Sequence, residues 1–440
     1  MTFQTLFNKT EYINYSRYVP AQKIYTSERS GCFVDNMKLP VHRWFRYSAG
    51  FSAAWVCDVL NQNGLSHSQG VVLDPFCGIG TTLFACNEEH VHSIGLEAHP
   101  FVTRLTRAKL LLCKADATEF SWFLQDFLKG VKVPKRLISD VSPLLQKCYS
   151  SENLRDLIAI REHYQAHYLN HPFSEALWLI ITAILRVCSH VGTAHCQYIL
   201  PKKTKASVLS PFEAFREKEC QISEDMVYLR KHQVSSCASL IQTDARNPKG
   251  ISANSIDFVL TSPPYPNNFD YADATRLEMS FWGEIKAWSD LHNHIRKHLL
   301  CSCSQHSTAD KMSLDDLLDH SVLTPIRDEL SGQCQKLAQV RLDKGGKKTY
   351  HTMAAAYFKD LGLVLRSLRP LCKTGAKLCF VLGDSAPYGV YLPVERWLGE
   401  IAKAEGFQSY HFEKIRDRNT KWKNRKHDVP LKEGCLWIQG

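Results

Sequence analysis

The chain predicts an α/β protein built on a doubly wound, mostly parallel sheet that is broken by two largely helical insertions. Three stretches carry the prediction. Val71-Val72-Leu73-Asp74 is a short apolar strand that runs through Pro75-Phe76-Cys77 into Gly78-Ile79-Gly80 and a helix opening at Thr81-Thr82. Val91 to Leu96 is a second apolar strand and ends at Glu97. Ile256-Asp257-Phe258-Val259-Leu260 is a third, halted by Thr261-Ser262-Pro263-Pro264-Tyr265 because neither proline offers an N–H to a ladder. Strands that alternate with helices in this way gather their polar ends at one edge of the sheet.

At 440 residues the chain exceeds the size at which a single core stops growing, so one enlarged domain or two coupled ones are expected. Its formal charge of +10 favours a polyanionic partner without identifying it. The 16 cysteines stand mostly singly in apolar segments, as at Cys86, Cys113, Cys188 and Cys379, and no CxxC pair suggests zinc. Cys301-Ser302-Cys303 with His306 reads as a polar loop. Reduced thiols in a cytoplasmic protein are the simplest account. The N-terminal residues lack a basic stretch followed by an apolar one, and Ala176 to Cys188 is too short to span a bilayer, so neither a signal peptide nor a membrane partner is expected.

Taken in order, residues 1–41 read as an irregular N-terminal arm. The dense block from His42 to Ser52, with Arg46, Tyr47 and Phe51, precedes a Ser-capped helix from Ala53 to Leu60, and suits a ligand pocket or ordinary packing equally well. The glycine loop brings the backbone close to a ligand and the following helix offers free N–H groups. Glu97 can take two ribose hydroxyls, so residues 42–115 read as the binding half for an adenosine-containing cofactor. The missing third glycine and the acidic Asp74 fit a cofactor without a pyrophosphate better than NAD.

Residues 116–236 carry helical periodicity, with Phe120, Phe123, Leu124 and Phe127 on one face, and form the first insertion, a candidate for target recognition. Pro201-Lys202-Lys203-Thr204-Lys205 reads as a basic turn before a helix from Pro211 to Arg230. The sheet resumes in residues 237–283, where Asp244 and Ala245 follow a strand; Asp244 could accept from an adenine amino group or simply cap a turn. Ser262, Pro263, Pro264 and Tyr265 make a stiff edge of acceptors and an aromatic face, suited to a planar group bearing an NH2. A polar, aromatic loop with Asn268 comes next. The second insertion covers residues 284–348, helical in part, with polar joints at Cys301 to Asp310 and Leu342 to Lys348. Residues 349–440 return to the sheet domain, with a helix from Tyr350 to Leu368, strands at Lys377 to Leu382, Phe407 to Ile415 and Cys435 to Ile438, and a basic run from Lys414 to His427. That run holds Arg416, Arg418, Lys421, Trp422, Lys423, Arg425 and Lys426, the best footprint in the chain for a phosphate backbone.

Asp-Pro-Phe-Cys-Gly-Ile-Gly-Thr-Thr at 74–82 together with Thr-Ser-Pro-Pro-Tyr at 261–265 resembles the amino-directed DNA methyltransferases, which methylate the exocyclic nitrogen of cytosine or adenine. The resemblance covers the sheet domain and neither insertion. It implies a Rossmann-like methyltransferase sheet, S-adenosylmethionine as cofactor and double-stranded DNA as partner, and leaves open a companion restriction endonuclease acting on the same site. By this resemblance Ser262, Pro263, Pro264 and Tyr265 are catalytic. Cofactor contacts fall to Arg46, Tyr47, Phe51, Asp74, Pro75, Phe76, Gly78, Gly80, Thr81, Thr82, Glu97, Asp244 and Ala245, and nucleic-acid contacts to Asn268 and the basic run. A serine at the head of the catalytic motif looks like the N4-cytosine branch. The alternatives are an N6-adenine enzyme, an RNA base methyltransferase, or a nucleic-acid-binding protein on an inactive methyltransferase fold. The long insertion between the Glu97 and Asp244 strands departs from the family pattern, and neither the target-recognition region nor the oligomeric state is assigned.

Overall fold

The computed structural model describes residues 33–47, 50–136, 141–193, 199–234, 237–346, 348–418 and 429–440. Along the chain, α1 (Ala53–Gln62), β1 (Val71–Asp74), α2 (Thr81–Glu88), β2 (His92–Glu97) and α3 (Pro100–Leu112) form the first units. The helices α4 (Ala117–Gly130), α5 (Pro143–Cys148), α6 (Ser151–His167) and α7 (Ser174–Ile184), the hairpin β3 (Val191–Thr193) and β4 (Ile199–Thr204), and α8 (Pro211–Lys231) follow. Next come β5 (Ala238–Gln242), β6 (Ile256–Thr261) and α9 (Arg276–Trp282), then α10 (Asp290–His294), α11 (Ser304–Ala309), α12 (Leu314–Leu318) and α13 (Arg327–Asp343). The chain closes with α14 (Tyr350–Leu368), β7 (Cys372–Gly383), α15 (Val394–Ala404), β8 (Ser409–Arg418) and β9 (Leu431–Gln439).

Seven strands form one sheet in the order β5-β2-β1-β6-β7-β9-β8. Pairing is parallel from β5 to β7, and antiparallel where β9 meets β7 and β8. This is the mostly parallel, Rossmann-like architecture expected. The β residues explain why both faces are covered. Val72, Phe258, Leu260, Cys379 and Val381 pack with Val56 and Leu60 of α1, whereas the alternating Leu73, Val259, Leu378 and Phe380 pack with α14 and its neighbours. The order reverses at β1, which has β2 on one side and β6 on the other. In an open α/β sheet a ligand crevice opens at such a reversal, outside the carboxyl ends of the strands.

The first insertion builds its own core from α4, α6, α7 and α8 against α3, with Phe120, Leu124, Phe127, Trp178 and Phe215 buried. α8 starts sharply because Ser210 and Glu213 form a reciprocal capping box ahead of Pro211. The basic stretch from Pro201 to Lys205, expected as a turn, is mostly β4, paired antiparallel with β3. Lys202 and Lys203 sit on this two-stranded ribbon, Lys203 is exposed, and Lys205 follows the strand end. Cys301, Ser302, Cys303 and His306, expected as a polar loop, are buried, because this segment packs against α14 and Asp360 accepts from the Cys301 amide. β7, β8 and β9 all run longer than their apolar cores, since backbone pairing carries them on past the last apolar residue. β8 therefore takes in Arg416 and Arg418. Lys421, Trp422, Lys423, Arg425 and Lys426 lie outside the described residues.

Candidate active site

At the sheet reversal a cleft opens. Its walls come from four strand ends and one loop of the second insertion. Pro75, Phe76 and Gly78 follow β1; Leu96, Glu97, Ala98 and His99 end β2; Thr243, Asp244 and Ala245 follow β5; Ser262 and Pro264 follow β6. Tyr47 and Tyr271 close two sides and His298, Leu299 and Leu300 a third.

Asp74 is nearly fully buried and faces into the protein. It accepts from the Phe76 amide at 3.0 Å and from the Thr261 and Thr82 hydroxyls at 2.6 Å each. Burial raises its pKa to about 6 against the pull of those three donors. The carboxylate thus ties the end of β1 to the end of β6 and to α2, which fixes the glycine loop and the Ser-Pro-Pro-Tyr edge relative to each other. Gly80 has a φ of 87°, and a Cβ there would lie 2.8 Å from Phe84 and 3.0 Å from Thr106. Only glycine turns the chain into α2 at so close an approach. Asp74, Gly80, Thr81 and Thr82 stand behind the cleft wall, whereas Pro75, Phe76 and Gly78 stand in it.

Glu97 faces the cleft. Its Oε2 accepts from the Gly78 amide at 2.9 Å and its Oε1 from the His99 amide at 2.8 Å. Each oxygen keeps a lone pair for a ligand hydroxyl. Burial pushes the carboxyl up to about 7, partly offset by those amides, and Asp74 nearby raises it further. His99 is also buried, with its pKa lowered by burial to about 3; its Nε2 meets Thr275 Oγ1 at 3.1 Å, while its Nδ1 is buried with no partner among the described residues.

Asp244 lies beyond β5 and lines the cleft, but its carboxylate is held by Arg246, whose Nη2 approaches Oδ2 to 2.6 Å. Arg246 in turn reaches Asp360 of α14 at 3.1 Å. Ala245 is buried beside it.

Ser262 lines the cleft and its hydroxyl donates to the Val381 carbonyl at 3.4 Å. Pro263 is buried behind it. Tyr265 is half-buried to one side of the cleft, with Arg418 Cζ 5.1 Å from its ring centroid. Burial raises its phenol well above the ordinary value, an effect opposed by Arg418 and by a hydrogen bond with Ser262. Tyr271 lines the cleft wall, whereas Tyr265 stands beside it.

The remaining expected residues are spread more widely. Tyr47 is in the wall, Arg46 is exposed one residue before it, and Phe51 packs under α1 against Trp55. Asn268 turns its amide oxygen inward to the Ser304 amide at 2.8 Å and hydroxyl at 2.7 Å. Arg416 and Arg418 both face Glu433. The wall residues His298 to Leu300 and Tyr271 went unrecognised in the sequence, because they come from segments with no period and no motif.

Residues 36–107 match a family model described as a DNA methylase of the N6/N4 type. The type II methyltransferase M.BsoBI of Geobacillus stearothermophilus is 24% identical over 425 residues, covering 87% of this chain and 82% of its own. Over residues 36–107 the chain is similar to the amino-directed DNA methyltransferases. Type II methyltransferase M.AvaI of Anabaena variabilis is 22% identical to this methyltransferase over 428 residues, covering 85% of the chain and 80% of its own. A solved rRNA methyltransferase, aviRa from Streptomyces viridochromogenes, covers 89% of the chain and 85% of its own at 11% identity and a TM-score of 0.27, too loose a superposition to bear on the substrate.

The cofactor of this family and fold is S-adenosylmethionine. The cleft fits it in kind: paired lone pairs on Glu97 for a ribose, apolar Phe76, Leu96 and Leu299 around a flat ring, the acidic Asp244 and an unpartnered buried nitrogen on His99. No helix among the described residues is long and apolar enough to cross a membrane.

Proposed function

We propose that this methyltransferase places a methyl group on the exocyclic N4 of a cytosine flipped out of double-stranded DNA. The observation that carries the reading is that Ser262 and Pro264 share one cleft with Glu97 and Asp244, so a base edge set against residues 262–264 meets a cofactor set against residues 97 and 244. The names of the type II relatives support DNA as the substrate. The serine at position 262 supports cytosine over adenine, by the family resemblance.

The cytosine amino nitrogen is a poor nucleophile because its lone pair is delocalised into the ring. Ser262 Oγ and the Pro263 carbonyl would accept its two hydrogens, favouring a pyramidal nitrogen as positive charge develops there. S-adenosylmethionine, when bound, supplies an activated methyl. Glu97, Asp244, Phe76 and Tyr47 would hold the cofactor side, and Tyr265 the ring of the base, which cannot reach a recessed cleft from within the stack. No cysteine nucleophile is needed.

Expression in a host without DNA methylation, followed by sequencing of modified bases in its genome, tests the reading directly. N4-methylcytosine in one sequence context is the expected result. N6-methyladenine would transfer the same site to the adenine branch, and unmodified DNA from a host making folded protein would overturn the proposal.

A further inference from the structure

Arg418 was expected at the DNA backbone, yet its guanidinium points inward. Its Cζ lies 5.1 Å from the Tyr265 ring centroid, its Nη1 donates to the Asp384 carbonyl at 2.7 Å, and its Nε stands 3.6 Å from Glu433 Oε2. The side chain is 18% exposed, against 37% for Arg416, which meets the other oxygen of the buried Glu433 at 2.7 Å. A cation meant for a phosphate gains from standing in solvent, where it can exchange counterions. Arg418 has given up most of that exposure.

The contact is built into the sheet. Gly383 ends β7 beneath both groups, and a Cβ there would fall 2.5 Å from Arg418 Nη1 and 3.0 Å from Tyr265 Cε2. The ring and the guanidinium therefore meet over bare backbone. Glu433 pairs with Gly383 across β7 and β9, so the carboxylate that faces the guanidinium comes from the register partner of that same glycine. With one ring face against the guanidinium and the hydroxyl bonded to Ser262, Tyr265 has little freedom to turn about its Cβ.

We propose that Arg418 is a positioning residue for the target base: it caps one face of Tyr265, fixing the ring so that the flipped base stacks on the opposite face. This rests on the reading of residues 262–265 given above. A planar guanidinium is suited to the task because it can lie against the ring while its edge donates to the Asp384 carbonyl, whereas an ammonium cannot do both.

The test uses full-length protein, unmethylated genomic DNA fragments and S-adenosylmethionine labelled in its methyl group. For Arg418→Ala, turnover at saturating DNA should fall roughly tenfold, the size of effect expected from losing a desolvated cation–π contact. Cofactor affinity by calorimetry and the salt dependence of DNA binding should stay at wild-type values. Arg418→Lys should recover less than half of the lost turnover, because it restores charge but not the planar fork. A salt slope lower by about one with turnover intact would mark Arg418 as a phosphate contact and overturn the proposal. So would full rescue by lysine, or unchanged turnover in Arg418→Ala. A wild-type chain that binds cofactor but transfers no methyl fails the underlying reading, and this one with it; wild-type turnover with an indifferent Arg418→Ala fails this one alone.

Discussion

Glu97 holds its charge where the surroundings disfavour it, and that gives cofactor binding a pH dependence. Its carboxyl is raised by burial to about 7 from an ordinary 4.5. Because the folded pKa lies above the unfolded one, the neutral form favours folding: that stability is complete below about 4.5 and is lost as pH rises through 7. Ligand hydroxyls need the opposite, an ionised acceptor. Affinity for S-adenosylmethionine is therefore expected to fall between pH 8 and pH 6, approaching a tenfold loss per unit once Glu97 is protonated. Glu97→Gln should bind weakly with a flat profile across the same range. Calorimetry at several pH values checks both, and a flat wild-type profile would remove Glu97 from the cofactor contacts. Ser262→Ala and Tyr265→Ala make the complementary case. Each should lose most of its turnover and keep wild-type cofactor affinity, and unchanged turnover in both would sink the catalytic assignment. Residues of this kind were legible because strand, acid and glycine recur at short spacing, as did Ser-Pro-Pro-Tyr. Arg246 was not legible as Asp244's partner, nor Tyr271 as a wall, because those contacts depend on loop paths that no period records.

Among the elements, α3 carries a lysine with no access to water. Lys109 is fully buried, lies over the Phe84 ring at 5.3 Å, and reaches the Ile79 carbonyl of the glycine loop at 3.5 Å. Burial lowers its pKa to about 7 from 10.5, with Lys218 adding to the effect. A base with a depressed folded pKa contributes stability that is complete above the unfolded value and is lost as pH falls to the folded one. Wild-type protein should thus gain stability from pH 7 upwards, relative to a variant with an uncharged side chain of similar length. Lys109→Met is expected to be more stable than wild type at pH 6.5, by about 2–4 kcal/mol, with the gap closing towards pH 10. Urea unfolding at the two ends of that range measures it. A gap that does not change with pH would show that Lys109 titrates normally. The helices themselves were easily read: Tyr350 to Leu368 is helical from end to end, and the Ser52 cap and Pro211 mark true starts. The β3–β4 hairpin was missed because its strands are short and β4 carries Pro201, Lys202 and Lys203, which give the same local signal as a turn.

At the scale of the molecule the mostly parallel sheet followed from its βα units, but the roles of the two insertions did not, since both present similar helical periods. The structure separates them. No residue of α4 to α8 lines the cleft, whereas His298, Leu299 and Leu300 of the second insertion form one wall. That wall is braced from the sheet side: Arg246 reaches the His298 carbonyl at 3.5 Å and Asp360 at 3.1 Å, and Asp360 also accepts from the Cys301 amide at 3.0 Å. A ligand against Asp244 therefore presses on a network that ends in the second insertion. Adding S-adenosylmethionine should slow amide exchange in residues 76–80, 97–99 and 243–246, and also in 298–301, while leaving α6 and α8 unchanged. Asp360→Asn weakens the brace, so protection at 298–301 should drop while that at 97–99 persists. If exchange at 298–301 were indifferent to the cofactor in the wild type, the wall would be a neighbour of the cleft and not part of its binding surface.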